Sequence, residues 1–170
     1  MDAAELVEHF GMTRLPIEGT YFVRTFTSRD LAADGTAAGS AIIGLFSREL
    51  ASRSLFHRVA CDEMWHFYGG SPFRLVVLHP DGSGEAVVLG PEVLAGQRVQ
   101  MLVPAGAWQA AELIDDGEWA LFGCTVTPEF RPEHFESGLV GDLINRYPGW
   151  SDDITRLGVP DGSPRNLPDT

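Results

Sequence analysis

Short apolar stretches separated by turn residues dominate the chain. The runs Thr20 to Thr27, Ala41 to Phe46, Leu55 to Val59, Glu63 to Tyr68, Phe73 to Leu78, Glu85 to Leu89, Val99 to Val103, Trp108 to Leu113 and Trp119 to Val126 are rich in β-branched and aromatic residues. Each is predicted to be a strand. Pro80-Asp81-Gly82 and Asp115-Asp116-Gly117 are turn sequences and are expected to close hairpins. Many short strands without intervening long helices predict an all-β sandwich or barrel rather than a parallel βαβ sheet.

Helical spacing shows only at the two ends. Leu6, Val7 and Phe10 form one apolar stripe ending at Gly11, which predicts a short leading helix over Ala3 to Phe10. Near the C-terminus, Pro132 and Glu133 suit a first helical turn, with Phe135, Leu139, Leu143 and Ile144 on one apolar face. That helix is expected to pack outside the barrel. Residues 1–150 read as a single domain with flanking helices, and 151–170, with Pro160, Gly162, Pro164 and Pro168, as a loosely held tail.

Composition narrows the function classes. At 170 residues the chain can bury a full core without metal or disulfide staples. No apolar run has membrane-spanning length and no secretory pattern opens the chain, so a cytoplasmic protein is expected. Cys61 and Cys124 sit among apolar neighbours and are expected to be reduced, buried thiols. A net charge of -12 argues against nucleic acid as a partner. All twelve basic residues are arginine, a bias that points to a GC-rich bacterial genome rather than to chemistry.

One stretch concentrates chemistry. From His57 to Gly70 the chain places an imidazole, carboxylates and aromatic walls together, answered by Pro104-Ala105-Gly106-Ala107-Trp108-Gln109. Strand alternation puts Glu63, Trp65 and Phe67 on one face and Met64, His66 and Tyr68 on the other. If Ala60-Cys61-Asp62 is a tight turn between antiparallel strands, His57 and Glu63 face each other across the barrel interior. The plain structural alternative makes His57 a core histidine and Glu63 a rim carboxylate paired with Arg24, Arg58 or Arg74. Gln109, beside Ala110 and Ala111, has room to hold a ligand oxygen. His79, before Pro80-Asp81-Gly82, reads as a solvated hairpin residue, and His9 and His134 fall on helices with no evident partner.

These blocks carry a resemblance. Pro16-Ile17-Glu18-Gly19-Thr20-Tyr21, Ser40-Ala41-Ile42-Ile43, Ser54 to Val59, Asp62 to Gly70, Leu89-Gly90, Pro104 to Ala111 and Gly123 to Phe130 resemble the DUF985 or Cupin-5 group of the cupin superfamily over about residues 5 to 136. The resemblance implies a cupin double-stranded β-helix, an RmlC-like jelly-roll barrel with a short N-terminal helix and a C-terminal helix, and a homodimer. The general cupin metal pattern needs three histidines and a glutamate. Here His57 and Glu63 keep two places, while Val59 and Gln109 stand at the others. No cofactor is therefore expected; a divalent metal held by His57, Glu63 and Gln109 is the lesser alternative.

Burial beside Trp65 and Phe67 would raise the Glu63 carboxyl while a charged His57 would lower it, a coupling suited to proton transfer. The expected function is acid-base isomerisation, epimerisation, dehydration or cyclisation of a polar small molecule, in specialised metabolism. His57, Glu63 and Tyr21 are the expected catalytic groups, and Trp65, Phe67, Trp108, Gln109 and Arg24 the expected ligand contacts. The alternative is a non-catalytic module that binds or senses a sugar-like or nucleotide-like ligand.

Overall fold

A computed structural model of the chain describes residues 2–168. The leading helix α1 (Ala3–Phe10) is closed by a capping box between Asp2 and Glu5 and by Gly11 at φ +63°. Eleven strands follow: β1 (Thr13–Arg14), β2 (Tyr21–Thr27), β3 (Ser40–Ser47), β4 (Ser54–Arg58), β5 (Asp62–Gly70), β6 (Phe73–Leu78), β7 (Gly84–Leu89), β8 (Gln100–Val103), β9 (Trp108–Leu113), β10 (Trp119–Thr127) and β11 (Glu136–Ser137). All nine expected strands form. The two additional ones, β1 and β11, are two residues each, too short to leave a pattern in the sequence. Two helices, α2 (Val140–Arg146) and α3 (Ser151–Leu157), end the fold.

The strands make two antiparallel sheets, ordered β1-β2-β3-β10-β5-β8 and β11-β4-β9-β6-β7. Between them lies an aromatic core in which Phe122 stacks on Phe46 at 4.4 Å and on Trp65 at 4.9 Å, with Phe73 filling the remaining side. Helix α1 covers part of the outer face of the larger sheet, where Leu6 packs with Leu45. Helices α2 and α3 cover the outer face of the smaller one, where Ile154 and Leu157 pack with Phe56, Val76 and Leu78.

Expectations about two of the turns and about the C-terminal segment are corrected. Ala60-Cys61-Asp62 is not a hairpin turn, because β4 pairs with β9 and β11 whereas β5 pairs with β10 and β8. It is a corner that carries the chain from one sheet to the other. Buried Val59 and Cys61 pack there with Val126, and the Asp62 carboxylate accepts from the Ala105 N–H at 2.8 Å. Asp115-Asp116-Gly117 likewise links β9 to β10 in different sheets. Only Pro80-Asp81-Gly82 closes a hairpin, between β6 and β7.

The predicted C-terminal helix starts late. Pro132–His134 is a single 3-10 turn, and the chain then extends as β11 because its backbone is claimed by neighbours: the Ser137 N–H donates to the Arg165 carbonyl and the Gly138 N–H to that of Phe56, both at 2.7 Å. A side chain at Gly138 would sit 2.9 Å from Phe56 Cβ, so only glycine lets this segment approach. Within the expected tail, residues 151–168 are described and their first part is held to the fold. Helix α3 contributes two fully buried side chains to the core, and Arg74 of β6 holds Asp153 through a two-pronged ion pair.

Candidate functional site

Gln109, His57 and Glu63 converge in the barrel interior. Residues 57 and 109 are directly opposed on β4 and β9 of one sheet, while Glu63 comes from β5 of the other. All three are at least nine-tenths buried. The orientation of the Gln109 amide is fixed by Trp65: an indole N–H can only donate, and its Nε1 lies 2.7 Å from Gln109 Oε1. The amide nitrogen is thereby turned toward the pair, donating to Glu63 Oε2 and lying 3.3 Å from His57 Nε2.

That fixes the imidazole as well. With Nε2 accepting from Gln109, the ring proton sits on Nδ1, which lies 2.9 Å from the Leu55 carbonyl. The ring stacks on Phe135 with ring centres 5.3 Å apart. Neither histidine nor carboxylate pairs with an arginine here, so the rim reading of Glu63 with Arg24, Arg58 or Arg74 does not describe the structure: those arginines go to Glu129, Glu136 and Asp153.

His57 and Glu63 face a cavity of about 390 Å3, walled by Trp65, Phe122, Phe22 and Phe130 among others. Arg24 reaches it from β2, anchored by the Phe130 carbonyl at 2.9 Å and by Glu129 at 3.6 Å. Leu167 and Pro168 of the C-terminal segment close one side. Cys124, also in the wall, has its thiol pushed well above the usual range, first by burial and then by the negative charge of Glu63. Cys61 is pushed up to about 12, again chiefly by burial. Both are protonated thiols near neutrality rather than nucleophiles.

Several expected site residues fall elsewhere. Tyr21 is excluded from the cavity by alternation: Phe22 and Arg24 point inward, whereas Tyr21 packs outward beneath α1 with the Arg14 guanidinium 5.7 Å from its ring. Trp108 lies on the outer face of β9, packed with Phe56 and α2 and covered by Arg58 at 4.6 Å. Phe67 packs against the core beside Phe73. Gln109 sits behind the cavity wall with both amide ends engaged, so it positions the pair instead of meeting a ligand.

Glu18 is the residue that sequence reasoning passed over. It is 3% exposed, lines the cavity, accepts from the Thr20 N–H and hydroxyl at 2.8 and 2.7 Å, and lies 3.9 Å from His57 Nδ1. A tight turn aims it inward: the Glu18 N–H donates to the Pro16 carbonyl at 2.7 Å across Ile17, whose φ of +68° is strained for a β-branched residue. The signal was the acidic residue in the Pro16-Ile17-Glu18-Gly19 turn just before a strand.

The donor set does not fit a metal. The third-histidine place presents amide hydrogens rather than a lone pair, Val59 packs into an apolar corner, and no group of three metal-binding side chains forms among the described residues. The expectation of Gln109 as a ligand is corrected on that ground. No helix among the described residues is long and apolar enough to cross a membrane.

Comparison with known proteins places this geometry. The chain is similar to a protein from Shewanella oneidensis, with 27% identity, a TM-score of 0.86, and 95% of this chain and 99% of that one covered. It is similar also to a hypothetical protein from Leishmania major, with 25% identity, a TM-score of 0.83 and coverages of 93% and 99%. Oxalate decarboxylase from Lactobacillus farciminis shares the fold at 12% identity and a TM-score of 0.53, with 89% of this chain and 40% of that one covered. A search of curated proteins gives no match. With the family model described as Cupin superfamily (DUF985) matching residues 4–138, and with two sheets enclosing a polar cavity, the chain belongs to the Cupin_5 family.

Proposed function

We propose that the chain is an enzyme that moves protons on a small organic molecule held in the barrel cavity. The observation that carries this reading is the Gln109 amide joined to both His57 and Glu63, which holds an imidazole and a carboxylate at one wall of a 390 Å3 space. Two groups able to exchange protons, fixed by a neutral donor and screened from water, suit general acid-base work. One takes a proton from a carbon or hydroxyl of the substrate, and the same group or its partner returns one at another position. Proton count is unchanged over the cycle, as isomerisation, epimerisation, dehydration and cyclisation require. Aromatic walls suit an organic body, and Arg24 suits a carboxylate or hydroxyl oxygen on it.

Turnover can be sought without knowing the product. In deuterated water, a panel of polar hydroxy and carbonyl compounds incubated with the protein is expected to yield at least one that gains deuterium at carbon, read by mass spectrometry. Glu63→Gln is expected to abolish that exchange while leaving affinity for the same compound within about tenfold, roughly 1.4 kcal/mol. If compounds bind without exchanging and Glu63→Gln only weakens them, the protein is a binding module and the enzymatic reading fails.

A further inference from the structure

Half of the twelve arginines are spent on carboxylates: Arg24, Arg58, Arg74, Arg131, Arg156 and Arg165 each pair with an aspartate or glutamate. Of the others, Arg14, Arg48 and Arg53 line a single open cleft of about 750 Å3 at one end of the barrel. Among the described residues none of these three has a carboxylate within ion-pair distance, in a chain that carries 24 acidic side chains. The two glutamates in the cleft wall are already occupied, Glu18 by Thr20 and Glu112 by Arg156 at 2.7 Å. The cleft is therefore a cationic patch on an acidic protein.

Two of the guanidiniums are held in place. Arg14 donates to the carbonyls of Ala51 at 2.9 Å and Leu50 at 3.5 Å; Arg48 donates to those of Asp115 at 2.5 Å and Gly117 at 3.1 Å. Ala51 and Asp115, whose carbonyls take these bonds, both have left-handed backbone, φ +49° and +48°, a conformation that costs free energy in residues other than glycine. A guanidinium has five N–H donors, so each anchored arginine keeps donors for a ligand, and Arg53 is exposed with its side chain uncommitted.

We infer that this cleft binds a small molecule bearing a multivalent oxyanion, a phosphoryl or polycarboxylate group. Fixed guanidinium forks favour such groups over single charges. A polymeric anion does not suit the site, because the surrounding surface, at net charge -12, repels an extended polyanion. The cleft does not contain the His57 and Glu63 pair but adjoins their cavity: Arg14, Leu15, Pro16 and Glu18 line both.

Calorimetric titration of the full chain with pyrophosphate and, separately, with citrate tests this. The wild type is expected to bind at least one with a Kd below about 1 mM. Arg53→Ala, at an exposed side chain with no hydrogen bond or ion pair among the described residues, is expected to weaken binding about tenfold or more, with Arg53→Lys recovering part of it, while Arg29→Ala at a remote exposed site stays within about twofold. Binding of pyrophosphate alone assigns phosphoryl chemistry, of citrate alone polycarboxylate chemistry, and of both the shared class. If neither binds, or if Arg53→Ala binds like the wild type, the inference is overturned.

Discussion

Gln109 is where single-atom chemistry decides the site. Its side chain is fully buried, and its two ends are told apart only because Trp65 has a donor and no acceptor. Trp65→Phe removes that donor and leaves a buried amide oxygen unpaired, a cost of about 1–3 kcal/mol before any loss of packing. Chemical denaturation should show it, whereas a change below about 0.5 kcal/mol would mean the indole bond is not made. At this scale the sequence was informative about residue types and uninformative about direction. Alternation puts Glu63 and Trp65 on one face, but it does not say which face a strand turns inward: on β2 Tyr21 faces outward, and on β9 Gln109 takes the inward place and Trp108 the outward one. Glu18 carries a signal only in its place in a turn before a strand; its inward aim depends on the strained backbone at Ile17.

Among elements, strands were legible and connections were not. A run of alternating apolar residues announces itself, whereas whether a three-residue turn closes a hairpin or changes sheets depends on which partners are already taken. Ala60-Cys61-Asp62 has the length of a hairpin turn yet changes sheets, and the two residues it separates, His57 and Glu63, converge all the same. The C-terminal segment shows the same limit. Its prolines and glycines suggest looseness, yet Pro164 and Arg165 carbonyls accept from Ser137, Arg165 pairs with Asp142 at 2.5 Å, and Leu167 and Pro168 reach the cavity.

Leu167 and Pro168 line the same cavity as Cys124, so access to that thiol is expected to depend on this segment. Arg165→Ala combined with Leu167→Gly should speed modification of Cys124 by a small thiol reagent several-fold, with Cys61, which packs in the corner behind Val59 and Val126, unchanged. Peptide mapping by mass spectrometry separates the two thiols. Equal acceleration of both would signal general loosening, and no acceleration would mean the segment does not close the cavity.

For the molecule as a whole, the fold was readable because one device repeats: short strands with one apolar face, which two sheets can satisfy only by closing on each other. The site was readable only in part, since it lies where the two sheets meet, and its members are 52 and 46 positions from Gln109 in sequence. The central claim is that closure brings β4, β5 and β9 together so that one amide sets the tautomer of His57 while holding Glu63. The most direct test is long-range 1H–15N NMR of the imidazole. The account predicts a His57 tautomer with its proton on Nδ1 and its lone pair on Nε2, lost in Gln109→Leu. A ring protonated on Nε2 in the wild type, or one indifferent to Gln109→Leu, would contradict it.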